Sequence, residues 1–129
     1  MILQLCSAVA LVFAIACASP NTPGADPMEI ELDAFSGRPN PTWTASPDRA
    51  ASMSRDLSSQ PDAPAQPEPG HLGYRGFIIR QGALRARVYD GHVFVTTNGT
   101  MRTFVDSTRL EAQLIDDATK RGFASIIRK

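Results

Sequence analysis

Hydrophobic and polar residues alternate from Met28 to Phe35, where Met28, Ile30 and Leu32 interleave with Glu29, Glu31 and Asp33. A period of two predicts a strand with one buried and one wet face, ended by the turn pair Ser36-Gly37. A helical pattern follows. Ser46 is a good cap, Pro47 suits the first helical position and Asp48 complements the positive helix end. Ala50, Met53 and Leu57 then share one face of a helix running to about Ser59. Gln60 to Gly70 contains Pro61, Pro64, Pro67 and Pro69. That density excludes a helix or a central strand and predicts an exposed, extended loop that spaces two structural halves.

From Tyr74 the period of two returns. Arg75 to Arg80 reads as one strand and Leu84 to Tyr89 as the next. Asp90-Gly91 and Asn98-Gly99 are two-residue hairpin signals, because the turn that matches strand twist needs positive φ at both positions. The first turn sets a register: Val88 opposite Val93, Ala86 opposite Val95, Tyr89 opposite His92 and Arg87 opposite Phe94. Thr100 to Val105 closes a meander of three or four strands. Thr108-Arg109-Leu110-Glu111 reads as a capping box. The helix it opens runs to Arg121, with Leu110, Leu114 and Ala118 on its apolar face and Gly122 just past its end. Phe123 to Ile127 is expected as a last edge strand. The predicted fold class is α+β: an antiparallel β-meander with two helices packed on one sheet face, in a single domain over 28–129 with a Pro-rich loop at 60–70.

Ahead of this domain lies a different pattern. Residues 1–25 carry no charged side chain, and Ile2 to Ala18 is almost wholly apolar. The run is short for a membrane span, which needs roughly 20 apolar residues. It suits a secretory signal peptide over residues 1–18. Two cleavage readings overlap. Ala16-Cys17-Ala18 fits the small-x-small rule, and Phe13-Ala14-Ile15-Ala16-Cys17 resembles a bacterial lipobox, in which Cys17 receives the lipid. No basic residue precedes the apolar run, so export is the firmer reading and lipidation the finer one. Ser19 to Pro27, rich in Pro, Gly and Asn, reads as a flexible tether. Both cysteines, Cys6 and Cys17, lie in this region, so the domain itself has no disulfide and relies on its core.

Formal net charge is zero over 129 residues, which points away from nucleic acid and from a purely electrostatic membrane partner. The balance hides an asymmetry. Asp26 to Gly70 carries eight acids and three arginines, whereas His71 to Lys129 carries ten bases and five acids. The two halves should attract one another and form one unit.

Candidate chemistry concentrates in two places. In Phe35-Ser36-Gly37-Arg38-Pro39-Asn40-Pro41-Thr42-Trp43, the two prolines stiffen the backbone on which Arg38 and Asn40 are displayed. Arg38 offers a planar donor fork, Asn40 an amide, and Trp43 a stacking surface. The same residues also make sense as a rigid corner with Trp43 in the core. The second place is the sheet face carrying Arg85, Arg87, Tyr89, His92, Phe94 and Thr96, a basic and aromatic set suited to an anionic ligand. Its simpler reading is a solvated face on which the arginine stems cover Phe94. The FSGRPNPTW stretch and the later Leu72-Gly73-Tyr74-Arg75-Gly76-Phe77 resemble a pair of motifs in small uncharacterised bacterial secreted proteins and lipoproteins. That resemblance implies a common fold and implies that Arg38, Asn40, Trp43, Tyr74 and Arg75 belong together. It carries no activity.

The histidines, His71 and His92, fall in no hydrolase or metal-ligand motif, so no catalytic residue, metal or cofactor is assigned. The leading expectation is an exported, lipid-anchored or free, non-enzymatic binding module. Its contact surface would be Arg38, Asn40, Trp43, Tyr74 and Arg75, and its partner an extracellular or envelope ligand. The membrane enters only through the lipid. Two alternatives remain open: a small secreted hydrolase using His92 and Tyr89, and a secreted protease inhibitor using the loop from Arg38 to Pro41.

Overall fold

Residues 26–127 are described by a computed structural model. The expected signal peptide, Cys6, the lipidation candidate Cys17 and all but the last two residues of the tether lie outside the described residues. Six strands form one antiparallel sheet: β1 (Glu29–Leu32), β2 (Thr42–Thr44), β3 (Phe77–Gln81), β4 (Leu84–Tyr89), β5 (His92–Thr97) and β6 (Thr100–Val105). The spatial order is β2-β1-β3-β4-β5-β6. Helices α1 (Pro47–Ser58) and α2 (Leu110–Lys120) complete an α+β fold.

The two hairpins follow the turn chemistry. Asp90 and Gly91 have φ of +49° and +79°, and Asn98 and Gly99 have +51° and +80°. The register pairs Val88 with Val93, Ala86 with Val95, Tyr89 with His92 and Arg87 with Phe94. Alternation then sorts the sheet into two faces. On the first, Ile30, Leu32, Phe77, Ile79, Ala86, Val88 and Val93 are fully buried against Met53 of α1 and Leu110, Leu114 and Ala118 of α2. Both helices therefore serve one continuous core. On the second, Glu31, Ile78, Arg87, Phe94 and Thr103 lie side by side across β1, β3, β4, β5 and β6.

Four details depart from the sequence pattern. First, Thr42–Thr44 adds a strand that extends the meander to a full sheet, pairing Trp43 with Ile30. Its three residues are too few to show a period. Second, α2 is not capped by Thr108. Arg109 occupies the cap position in the left-handed region with no side-chain bond. The Asp106 carboxylate instead accepts from Leu110 N at 2.7 Å and Glu111 N at 2.9 Å. Third, the expected edge strand at Phe123 to Ile127 is a 3-10 turn over Ala124–Ile126, whose neighbour Phe123 packs on Trp43.

Fourth, the Pro-rich segment is more than an exposed spacer. Gln60 is buried, accepting from Ser107 N at 2.8 Å and donating to Thr108 Oγ1 at 2.7 Å. Ala63 N donates to Thr103 O at 3.0 Å, and Val105 N donates to Pro61 O at 2.8 Å. Residues 61–63 thus cover the outer edge of β6, which blunts an otherwise free strand edge. The chain then passes onto the second face of the sheet, where Glu68 meets Arg85 and Arg87.

Candidate functional site

The loop between β1 and β2 turns at Gly37, with φ of +82°. Pro39 and Pro41 hold Asn40 facing inward. Its Oδ1 accepts from Ala34 N at 3.1 Å and Phe35 N at 2.8 Å. Its Nδ2 donates to Glu31 Oε1 at 2.8 Å and to Asp33 Oδ1 at 3.2 Å. All of its amide is engaged in closing its own loop. Arg38 is exposed, with its guanidinium 3.6 Å from the centroid of the Phe35 ring.

Trp43 goes to the opposite face. Its ring stands edge-on to Phe77 at 6.3 Å, stacks on Phe123 at 6.1 Å, and has the Arg121 guanidinium at 5.0 Å. Tyr74 is buried against the same Phe77, 6.0 Å between ring centroids, and its hydroxyl donates to Glu111 Oε1 at 2.8 Å. Burial, and then the Glu111 carboxylate, push that hydroxyl far above the usual phenol range. The five candidates of the two motifs therefore form two groups. Trp43 and Tyr74 meet through Phe77 in the core. Asn40 and Arg75 meet at Asp33, with Arg38 next to them through Phe35, whose carbonyl accepts from Arg75 Nη2 at 3.2 Å.

Asp33 is the centre of the second face. Arg75 forks onto it, with Nη2 at 2.6 Å from Oδ1 and Nε at 3.1 Å from Oδ2. Arg87 Nη1 reaches Oδ2 at 2.6 Å and the Arg75 carbonyl at 2.8 Å. Burial opposes ionisation of Asp33, but the hydrogen bonds and charges of Arg75 and Arg87 outweigh it and hold its carboxyl below the ordinary range. The Asp33 bond in turn raises Arg75. Arg87 Nε continues to Glu68 Oε2 at 3.1 Å, and Arg85 grips the same carboxylate with Nη1 at 2.7 Å from Oε1 and Nη2 at 3.3 Å from Oε2. Glu68 is also held low: burial works against it, and Arg85 and Arg87 prevail. Arg80 closes the series on Glu31 at 2.6 Å. The face read as solvated is thus bridged by paired charge and roofed by the Pro-rich segment. Arg87 and Phe94 on it are buried, not wet.

Beside this network lies a cleft of about 210 Å³ between the Pro-rich segment and the β4–β5 hairpin, lined by Gln66, Pro67, Pro69, Tyr89, Asp90, His92 and Phe94. His92 Nδ1 lies 3.0 Å from the Asp90 carbonyl, and its ring tilts over Phe94 at 6.3 Å. The Tyr89 hydroxyl is 3.3 Å from Nε2 of His71, which also lies 3.0 Å from the Tyr74 carbonyl. Tyr89 and His92 are brought to one cleft, but His71 is the histidine that faces the Tyr89 hydroxyl. A larger, mostly apolar hollow of about 490 Å³ lies at the start of α1, between Met28, Ala45, Pro47 and Ala50.

Asp33, Glu68 and His71 were not among the residues singled out by sequence. The signal for Asp33 and Glu68 is the charge asymmetry, since Glu31, Asp33 and Glu68 of the acidic half pair with Arg75, Arg80, Arg85 and Arg87 of the basic half, whereas His71 has no such signal. Among the described residues there is no cluster of His, Cys, Asp and Glu able to hold a metal ion, and no helix long and apolar enough to cross a membrane. Comparison with known protein families, with curated proteins and with solved structures finds no match.

Proposed function

We propose that this chain is an exported, non-enzymatic binding domain whose ligand seat is the second face of the sheet, where Arg87 pairs across the strands with Phe94 of the cleft and Arg85 and Arg87 hold Glu68 between its lining residues Pro67 and Pro69. The observation that supports it is the pairing of a two-arginine grip with an adjoining aromatic cleft. Arginines give direction and charge selection, and aromatic rings give contact area at low conformational cost. The β1–β2 loop is the weaker seat, because Asn40 is spent on its own backbone and Trp43 is packed on Phe77 and Phe123.

Binding fits the cleft better than hydrolysis does. His92 is oriented by a backbone carbonyl, without a carboxylate behind it, and the Tyr89 hydroxyl is directed to His71. A general base needs an orienting partner and a nucleophile within reach. The inhibitor reading asks Asn40 to face outward, and it faces inward. On this proposal the domain stands in the cell envelope or outside it, tethered by lipid where Cys17 is modified, and its partner is an extracellular or envelope molecule.

The test is titration of isotope-labelled domain with neutral and carboxylated oligosaccharides and peptides, followed by amide chemical shifts. Saturable shifts confined to β4, β5 and segment 64–70 support the reading. Shifts confined to Phe35, Arg38 and Asn40 move the site to the β1–β2 loop. Mass spectrometry of the mature N-terminus tests export and lipidation together.

A further inference from the structure

Segment 64–70 crosses the sheet with few ties. Pro64, Pro67 and Pro69 have no N–H to donate. Among the described residues, no backbone hydrogen bond joins 64–70 to any strand. The side-chain hydrogen bonds recorded for it among the described residues are those of the Glu68 carboxylate, held by Arg85 and Arg87. Both feet of the segment are fixed. Ala63 is bonded to β6, and His71 is anchored by its ring to Tyr74 and by its carbonyl to Arg75 Nη1 at 3.0 Å. The prolines stiffen the span between these feet, and Gly73, with φ of +88°, provides a turn just past the second foot. The result is a stiff strap, pinned at its ends and latched in the middle by one carboxylate.

The latch has the form of a ligand contact. Both Glu68 oxygens are engaged by guanidinium nitrogens, the arrangement in which arginine takes a carboxylate from a partner. The Arg87 half of the receiving side is built independently of Glu68, whereas the recorded side-chain bonds of Arg85 all go to Glu68. Arg87 is only 7% exposed and stays fixed by Asp33 and the Arg75 carbonyl, so its Nε points at the strap whether or not Glu68 is there. Glu68 itself is 25% exposed, within reach of solvent and of a competitor. Exchange of one carboxylate for another leaves no buried arginine unpaired, so the swap avoids the large cost of stranding a charge.

We infer that Arg85 and Arg87 form a carboxylate-binding seat that Glu68 fills as an internal stand-in, and that a ligand carboxylate enters by displacing Glu68 and lifting segment 64–70. This rests on the reading of the second face as the binding surface, and it names the ligand class and the control. The ligand carries a carboxylate on an extended backbone, as Pro67-Glu68-Pro69 does, with flanking groups that lie in the cleft of Tyr89, His92 and Phe94. The strap sets the threshold. Apparent affinity falls by the fraction of molecules with the latch open, so a latch open in about 1% of molecules weakens binding about 100-fold.

The experiment uses the peptide N-acetyl-Pro-Glu-Pro-amide, a copy of the latch, and calorimetric titration of the wild-type domain and of Glu68→Gln. Glu68→Gln should bind the peptide at least ~10-fold more tightly than wild type, because the competing charge is gone. Adding Arg85→Gln to that variant should abolish the gain, and a peptide with glutamine at its centre should not bind. Amide spectra give a second readout in the unmutated protein, where saturating peptide must move Ala65 and Gln66 together. Equal affinity for wild type and Glu68→Gln overturns the latch and leaves the binding face standing. Binding that survives in the Arg85→Gln double variant overturns the seat. Tight binding untouched by Tyr89→Ala and His92→Ala keeps the seat but removes the cleft from the functional reading.

Discussion

Arg87 Nη1 lies 2.6 Å from Asp33 Oδ2, and each side chain is only 7% exposed. Arg75 and Asn40 converge on the same carboxylate. Removing Asp33 leaves Arg75 without its carboxylate and Arg87 with Glu68 alone, where water cannot reach them fully. Asp33→Ala should therefore cost ~3–5 kcal/mol, the range for one partner lost from a buried pair. Arg87→Met should cost less, because Asp33 keeps Arg75 and Asn40 while the methionine refills the volume. Urea denaturation of both variants decides this. A loss below ~1 kcal/mol for Asp33→Ala would mean that the network carries no structural weight.

Acid should expose the same network. Asp33 and Glu68 both ionise below the ordinary carboxylate range in the folded chain, since the arginine bonds and charges overcome the effect of burial. A carboxyl lowered on folding stabilises the fold in full above its unfolded pKa of about 4. That contribution is lost as pH falls through the unfolded and then the folded value. Unfolding free energy should hold above about pH 5 and drop below about pH 4, more shallowly in Glu68→Gln than in wild type. An identical acid slope in both proteins would remove Glu68 from the account.

The hairpins were legible because their signals are local. Asp90-Gly91 and Asn98-Gly99 need only their own positive φ to fix the turn, and the turn fixes the register. The apolar stripes of both helices, and the second face of β4 and β5, followed from period alone. The fate of that second face did not. Whether Arg87 meets water or Asp33 depends on where a segment many residues away crosses the sheet, and no periodicity encodes that. Asn40 was visible as a displayed amide between prolines, but its direction is set by Glu31 and Asp33 across the loop. The opposite charge of the two halves was the one long-range clue, and the ion pairs follow it.

The cap of α2 offers a clean contrast between two residues two positions apart. Asp106 satisfies the first free N–H groups of the helix, whereas Thr108 Oγ1 accepts from Gln60. Asp106→Ala should cost about 1–2 kcal/mol, the upper range for a lost cap, since a charged acceptor serves two donors here. Thr108→Ala should act on the anchoring of Gln60 and leave helix capping intact. Amide exchange at Leu110 and Glu111 separates the two. Faster exchange in Thr108→Ala than in Asp106→Ala would return the cap to Thr108.

Trp43 and Arg38 sit five residues apart in one motif and should behave differently. Trp43 packs on Phe77 and Phe123 while remaining partly accessible. Trp43→Ala should cost about 2–3 kcal/mol, below the ~3–5 of a fully buried aromatic. Arg38→Ala removes an exposed side chain resting on Phe35 and should change stability by less than ~0.5 kcal/mol. Thermal melts of the two variants, read by circular dichroism, check both. A Trp43→Ala protein as stable as wild type would free the indole from the core and reopen it as a contact residue.

Gly76 shows why the Tyr74-Arg75-Gly76-Phe77 run tolerates no larger residue at its third position. Its φ is +87°, and a Cβ there would lie 2.1 Å from the Val88 carbonyl oxygen and 2.7 Å from Tyr89 Cβ. The obstacle is the backbone of β4, which cannot swing aside as a side chain can. Gly76 O also accepts from Asp33 N at 3.0 Å, so a shift here moves Asp33 away from Arg75 and Arg87. Gly37 is the matched control, with φ of +82° and nothing within 4 Å of an added Cβ. Gly37→Ala should cost only the left-handed conformation, about 1–2 kcal/mol. Gly76→Ala adds the clash and the disturbed ion network, and should cost more than ~3 kcal/mol. It should also weaken any ligand that depends on Arg87, while Gly37→Ala leaves binding alone. If the two substitutions prove equally mild in denaturant, Gly76 does not press on the β4 backbone at Val88, and the rigid placement of Arg87 loses its support.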